Sequence, residues 1–138
     1  MPELPEDFEP HPARDASLAS MQAVEAGDRE AWLGLFAPDA VVEDPIGPSP
    51  MDPTGQGHRG PDAIAAFYDS VIGPNEVRFR IERSHAAGSE VANVGTITTT
   101  MGDGTIVHTD LVITYRVDDD GRVLALRAYW ELEKLRFG

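Results

Sequence analysis

The fold is decided by the stretch Val41-Val42-Glu43-Asp44-Pro45-Ile46-Gly47-Pro48. Two β-branched residues begin a strand, two carboxylates follow, and a proline ends the hydrogen-bonded ladder. Because Pro45 restricts the residue before it to extended geometry, Asp44 is predicted at the last position of the strand. Side chains alternate along a strand, so Asp44 is expected to face inward with Val42, whereas Glu43 faces the opposite side.

An inward-facing carboxylate at a strand end can act as a base. Loss of hydration raises its pKa and makes it a stronger base near neutral pH, so Asp44 is a candidate general base. Aspartate followed by proline is also a common way to begin a turn, and the dipeptide taken alone favours a structural aspartate.

Composition narrows the class of protein. The chain has 138 residues, enough for one domain with a substantial core. It carries 24 acidic and 11 basic residues, a formal net charge of -13, and this field repels phosphate backbones and argues against nucleic-acid binding. The same electrostatic field neither attracts nor repels a neutral apolar ligand. The chain contains no cysteine, which excludes disulfides, thiolate nucleophiles and zinc–thiolate sites.

Other motifs give little support to a cofactor. The four histidines show neither an i, i+4 pair nor a neighbouring cluster of ligands, so we expect no metal site. Residues 55–60 fit the pattern G-x-G-x-x-G, but a proline-rich loop precedes them where a dinucleotide site needs a strand. No apolar run approaches the roughly 18 residues of a membrane span. The N-terminus lacks the basic and then apolar pattern of a signal sequence, so we expect a cytoplasmic protein.

Helical spacing dominates the first half of the chain. Residues 1–13 hold four prolines and are predicted to form a flexible tail, and residues 14–138 a single domain. Helices are predicted over residues 15–27, 28–36 and 61–73, each with a capping residue or proline at its start.

The periodicity then changes from helical to alternating. Strands are predicted over residues 77–82, 91–101, 105–117 and 123–132, with a hairpin turn at residues 102–104. Helices followed by an antiparallel meander indicate an α+β fold. The simplest arrangement is a curved sheet wrapped around the helices, with a pocket between the two layers.

Four segments together resemble bacterial Δ5-3-ketosteroid isomerases, and their order is the same over residues 20–135. They are VEDPIG at 42–47, GPDAIAAFY at 60–68, GRV at 121–123 and AYW at 128–130. The isomerases belong to the wider nuclear-transport-factor-2-like and SnoaL-like group. The resemblance implies a cone-shaped, mostly antiparallel curved sheet around three helices, a steroid-sized apolar pocket and a homodimer.

The resemblance also assigns roles to positions. Asp44 corresponds to the family's general base, which moves a proton within a 3-oxo-Δ5-steroid through a dienolate, the established mechanism of that family. The family holds the dienolate oxygen with a tyrosine on the first helix and a protonated aspartic acid on a strand. Those positions hold Ser20 and Ile113 here, so both usual donors are absent. Further pocket positions implied by the resemblance or by strand alternation are Val24, Thr96, Leu111, Tyr115 and Trp130.

Tyr68 is the surrogate donor that the sequence suggests. It matches a family tyrosine that supports the missing one, and it shares a helical stripe with Ile64 and Val71. A tyrosine that only packs in the core is the competing interpretation.

Three functions remain open at this point. The first is a steroid isomerase with a rebuilt set of donors. The second is a SnoaL-like cyclase or an epoxide-hydrolase-type enzyme, which a second carboxylate or an arginine near Asp44 would favour. The third is a non-catalytic carrier or sensor of a steroid-like lipid. An apolar pocket without a second polar centre would favour this carrier or a weak isomerase.

One strand face suggests an oligomer. The even-numbered face of residues 105–117 carries Val112 and Thr114 beside His108, Asp110 and Arg116. Apolar residues on the outer face of a sheet favour a covered surface, and a two-fold dimer is the commonest cover. We therefore expect a homodimer through this face.

Overall fold

A computed structural model describes residues 1–138, in which helices pack on one face of a curved sheet. A π-helical turn at Tyr68–Ile72 continues the third helix, and a 3-10 turn lies at Leu132–Lys134. The other elements are α1 (Pro12–Ala26), α2 (Arg29–Leu33), β1 (Phe36–Glu43), β2 (His58–Arg59), α3 (Gly60–Phe67), β3 (Glu76–Ala87), β4 (Glu90–Thr100), β5 (Ile106–Val117), β6 (Val123–Tyr129) and β7 (Arg136–Phe137).

The sheet has the strand order β2-β1-β6-β5-β4-β3, with β7 added alongside the start of β5. The pairing between β1 and β6 is parallel, and all the other pairs are antiparallel. The predicted α+β class, with a curved, mostly antiparallel sheet and helices against it, is confirmed. No helix has the length and apolar character that crossing a bilayer requires.

The core lies between the helices and the inner face of the sheet. Met21 of α1, Trp32 of α2 and Ile64 of α3 are almost fully buried, and they meet strand residues such as Val42 and Val91. This burial on one face of each element follows the periodicity of the sequence. The same layer contains the cavity described below.

The stretch around Asp44 has the predicted alternation. β1 ends at Glu43, and Val42 is completely buried on the inner face. Glu43 lies on the outer face, where its carboxylate accepts a hydrogen bond of 3.2 Å from Arg127. Asp44 follows β1 directly and joins Pro45 through a cis peptide bond.

The boundary between α2 and β1 differs from the prediction. α2 ends at Leu33, and Phe36 already belongs to β1, where it pairs with Val123. The predicted helix over residues 28–36 was therefore too long. A short apolar run is compatible with either period, and here the parallel pairing with β6 decides in favour of a strand.

The N-terminal segment, expected from its prolines to be a flexible tail, makes hydrogen bonds to the edge of the sheet. The Glu3 amide donates to the Phe79 carbonyl at 2.9 Å, and the Ile81 amide donates to the Glu3 carbonyl at 2.8 Å. α1 begins at Pro12, earlier than predicted, and its first-turn residue Ala13 is completely buried. The segment thereby satisfies backbone groups at the edge of the sheet.

Candidate active site

A cavity of about 410 Å³ lies between the helices and the inner face of the sheet. Of its 24 lining residues, 18 are hydrophobic, so it suits a largely apolar ligand. Its mouth includes the exposed apolar side chains of Met101, Leu132 and Phe137. Asp44 is the only carboxylate in the lining, and no lysine or arginine contributes to it.

Asp44 is placed by the end of β1 and fixed by an indole. Trp130, directly after β6, donates from Nε1 to Asp44 Oδ1 at 2.7 Å. Burial raises the pKa of the Asp44 carboxyl, and the Trp130 hydrogen bond and the charge of His58 only partly oppose this effect. The carboxylate is desolvated by the surrounding protein yet open to the cavity, an arrangement suited to proton abstraction.

A second polar centre lies in the same cavity. The Ser20 hydroxyl of α1 is 2.8 Å from the Tyr115 hydroxyl of β5 and accepts a hydrogen bond of 3.0 Å from Trp32 Nε1. All three side chains are almost completely buried. Burial raises the pKa of Tyr115, and the negative charge of Asp44 adds to this effect. Tyr115 therefore stays protonated and able to donate.

The structure brings together most of the residues expected at the site. Ser20, Val24, Asp44, Ile113, Tyr115 and Trp130 all line the cavity. They come from α1, from the ends of β1 and β6, and from β5, so residues far apart in the chain converge. Ile113 is buried on the inner face of β5, where it supplies an apolar wall and no donor.

Three of the expected residues lie outside the cavity lining, and the first is Tyr68. Its ring packs against Trp32 with 5.4 Å between ring centroids. Burial raises the pKa of Tyr68, the charges of Asp28 and Asp69 add to this effect, and the charge of Arg29 opposes it. α3 passes into a π-helical turn that begins at Tyr68.

The other two are Thr96 and Leu111. Thr96 is opposite Asp110 and donates to its carboxylate at 2.8 Å, so it lies on the outer face of the sheet. Leu111 is on the inner face but belongs to the core and not to the cavity wall.

Sequence reasoning missed two tryptophan contacts. The helical periodicity around Trp32 gives no hint of its bond to Ser20, and the strand pattern around Trp130 gives none of its bond to Asp44. A buried indole N–H usually has an acceptor, so each tryptophan was a signal that a polar partner lay nearby. No group of histidine, aspartate and glutamate side chains is placed to hold a metal ion.

Comparison with known proteins agrees with this geometry. Residues 18–126 match the SnoaL-like domain. The chain belongs to the SnoaL-like family. This SnoaL-like chain is 32% identical over 111 residues to a steroid Δ-isomerase from Nocardioides simplex, a match that covers 80% of the chain and 82% of that relative.

Two solved structures share the SnoaL-like fold and more of the sequence. The Δ5-3-ketosteroid isomerase from Mycobacterium sp. is 43% identical, with a TM-score of 0.88, covering 92% of this chain and 98% of that chain. A Mycobacterium tuberculosis protein in complex with estradiol-17β-hemisuccinate is 36% identical, with a TM-score of 0.88, covering 93% and 100%. The resemblance to ketosteroid isomerases is thereby confirmed.

Proposed function

We propose that this protein is a steroid Δ-isomerase that moves a proton within a 3-oxo-Δ5-steroid, with Asp44 as the general base. The observation that carries the proposal is a single desolvated carboxylate, held by Trp130, in an otherwise apolar cavity. Similarity to the Nocardioides and Mycobacterium isomerases supports the substrate class.

The reaction needs only one base. The Asp44 carboxylate removes a proton from C4 of the steroid, and the electron pair moves into the C3 carbonyl to give a dienolate. The protonated Asp44 then returns the proton to C6, the double bond moves to C4–C5, and the carboxylate is restored. No cofactor takes part, and the apolar wall excludes water that would exchange the proton.

The two competing functions find less support in the cavity. A hydrolase or cyclase of this fold would be favoured by an arginine or a second carboxylate beside Asp44, and neither lines the cavity. A simple carrier would be favoured by a cavity without a second polar centre, but Ser20, Trp32 and Tyr115 form one.

The test is an ultraviolet assay of the conversion of 5-androstene-3,17-dione to its conjugated enone. We expect steady turnover by the wild-type protein and loss of at least about 10³-fold in kcat for Asp44→Asn, because the amide keeps the shape and removes only the base. Binding of equilenin, a non-reacting steroid, should stay within about tenfold, since the apolar wall that supplies most of the affinity is unchanged.

Each other outcome is informative. Wild-type rates in Asp44→Asn would exclude Asp44 as the base. Steroid binding without turnover by the wild-type protein would replace the isomerase with a carrier. Absence of both binding and turnover would exclude the substrate class.

A further inference from the structure

Ser20 lies on α1 at the position that the resemblance aligns with the helix donor of the ketosteroid isomerases, and it lines the cavity. Its hydroxyl is 2.8 Å from that of Tyr115, which enters the same cavity from β5. The sheet thus brings a phenol hydroxyl to this part of the cavity, beside the shorter side chain of the helix serine.

The available donors determine the direction of the hydrogen bonds among Trp32, Ser20 and Tyr115. Trp32 Nε1 can only donate, so the Ser20 oxygen accepts from it at 3.0 Å. Ser20 keeps one proton to give, and Tyr115 is its other side-chain partner. When Ser20 donates to the Tyr115 oxygen, the Tyr115 proton is free for an acceptor in the cavity. The sequence of donors is then Trp32 to Ser20 to Tyr115 to the ligand.

The electrostatic setting favours a donor that stays protonated. Burial and the charge of Asp44 both raise the pKa of Tyr115, so it does not ionise at neutral pH. Asp44 and Tyr115 both line the cavity. Enolisation requires two groups. A base removes the proton, which develops negative charge on the carbonyl oxygen of the substrate, and a donor forms a hydrogen bond to that oxygen.

We propose that Tyr115 is a catalytic residue that donates a hydrogen bond to the C3 oxygen of the steroid, and that Ser20 and Trp32 are positioning residues for it. This inference rests on the proposed isomerase function. Tyr115 takes over the role that the sequence suggested for Tyr68, which does not line the cavity. The donor forms a hydrogen bond only, and the transferred proton remains between Asp44 and the substrate carbons.

The principal test is Tyr115→Phe, which removes one oxygen and keeps the buried ring. We expect kcat to fall by about 100-fold, as for loss of one oxyanion donor, with KM changed by less than about threefold. Tyr129→Phe is the matched control, because Tyr129 is 48% exposed and lies outside the cavity. A loss of kcat in Tyr68→Phe, together with normal kcat in Tyr115→Phe, would overturn the assignment in favour of Tyr68.

Ser20→Ala tests the positioning role and leaves the aromatic core intact. Here we expect kcat to fall by roughly fivefold, corresponding to one neutral hydrogen bond of about 1 kcal/mol. The affinity for 4-androstene-3,17-dione should be little changed. Unaltered kcat in Ser20→Ala would remove Ser20 and Trp32 from the proposal.

A measurement on the bound product separates this inference from the isomerase function. Isotope-edited infrared spectroscopy of 4-androstene-3,17-dione labelled with ¹⁸O at C3 reports hydrogen bonding to that oxygen. The carbonyl stretch should be lower in the wild-type complex than in the complex with Tyr115→Phe, and intermediate with Ser20→Ala. A purely structural role for Tyr115 would leave the frequency unchanged.

The two proposals can therefore fail separately. A lowered frequency in a wild-type protein without turnover would retain the Tyr115 donor and reject the isomerase. Turnover with equal frequencies in wild type and Tyr115→Phe would retain the isomerase and reject the donor. If Tyr115→Phe does not fold, Ser20→Ala decides: an unshifted frequency and unaltered kcat would reject the donor chain.

Discussion

At the scale of single residues, the chemistry depends on the pKa of Asp44, which two opposing effects determine. Burial raises it, and the hydrogen bond from Trp130 limits that rise by stabilising the carboxylate. A raised pKa gives a stronger base, but one that is protonated over a wider range of acidic pH. Trp130 is thus a tuning residue for the base as well as part of the cavity wall.

The activity should follow the protonation of Asp44. Its base form is present above the raised pKa and is lost as the pH falls through it, so kcat/KM should decline on the acid side at a pH above that of an ordinary aspartate. Trp130→Phe removes a bond that favours the carboxylate, and we expect the acid limb to move to higher pH. Measured pH profiles of kcat/KM for both proteins check this. An acid limb that stays in place would mean that the bond does not stabilise the reacting form.

Ile113 offers a second test at this scale. It is buried in the cavity wall, and the resemblance aligns it with a strand aspartic acid of the ketosteroid isomerases. Ile113→Asp places a carboxyl group in an apolar site, where burial keeps it protonated and able to donate. We expect kcat to increase by about tenfold or more, since one oxyanion donor is worth roughly 3–4 kcal/mol in favourable cases.

Ile113→Asn is the companion variant, because its amide donates without any ionisation. An increase in both variants would identify donation to the oxygen as the limiting factor. A decrease in kcat for both folded variants would show that the exclusion of water around Asp44 matters more for catalysis than a second donor.

At the scale of elements, the part of the fold set by alternation could be predicted, and the part set by distant contacts could not. Asp44 faces the cavity because strand alternation is strict, and this follows from four adjacent residues. Its bond to Trp130 joins positions 86 apart in the chain, and no local pattern contains it. The end of α2 was missed because the pairing of Phe36 with Val123 is likewise a tertiary contact.

The two tyrosines show the same limit at the site. Tyr68 and Tyr115 both lie on inward-facing patterns, so their rings were correctly expected inside. The pattern gives the face on which a ring lies, but not the direction of its hydroxyl. Tyr115 lines the cavity and its hydroxyl meets that of Ser20, whereas Tyr68 does not line the cavity, and neither outcome is visible in the periodicity.

The contact between β3 and β4 gives a prediction about stability. Gly95 of β4 lies against β3 next to the register shift between Ile81 and Arg83. A Cβ at Gly95 would overlap the carbonyl oxygen of Arg80, a backbone atom that cannot easily move away. Gly95→Ala should therefore lower the free energy of unfolding by roughly 1–3 kcal/mol, as for other overpacked sites.

Urea denaturation provides the measurement, and Gly102→Ala is the matched control. Gly102 lies in the turn between β4 and β5, and a Cβ there meets no atom within 4 Å. We expect the control to stay within about 0.5 kcal/mol of the wild-type protein. Equal effects of the two substitutions would show that β3 and β4 are not in such close contact at Gly95.

At the scale of the whole molecule, one surface differs from the rest. Along the outer face of β4 and β5, the half-buried side chains of Val94, Val112 and Thr114 form an uncharged strip. Ion pairs lie beside it, including Asp110 with Arg136 at 2.8 Å. On a chain with a formal net charge of -13, an uncharged strip with charged borders has the composition of an interface.

We predict that this strip is the contact of a two-fold homodimer, because the same surface on two copies is self-complementary in such a dimer. Sedimentation at micromolar concentration should give twice the mass of the chain. Val112→Glu should shift the protein to a monomer, since two glutamates would approach each other across the axis. Ala66→Glu, on the exposed side of α3, adds the same charge away from the sheet and should leave the dimer intact. A monomeric wild-type protein, or dimers that both variants preserve, would show that the outer face of the sheet is open to solvent.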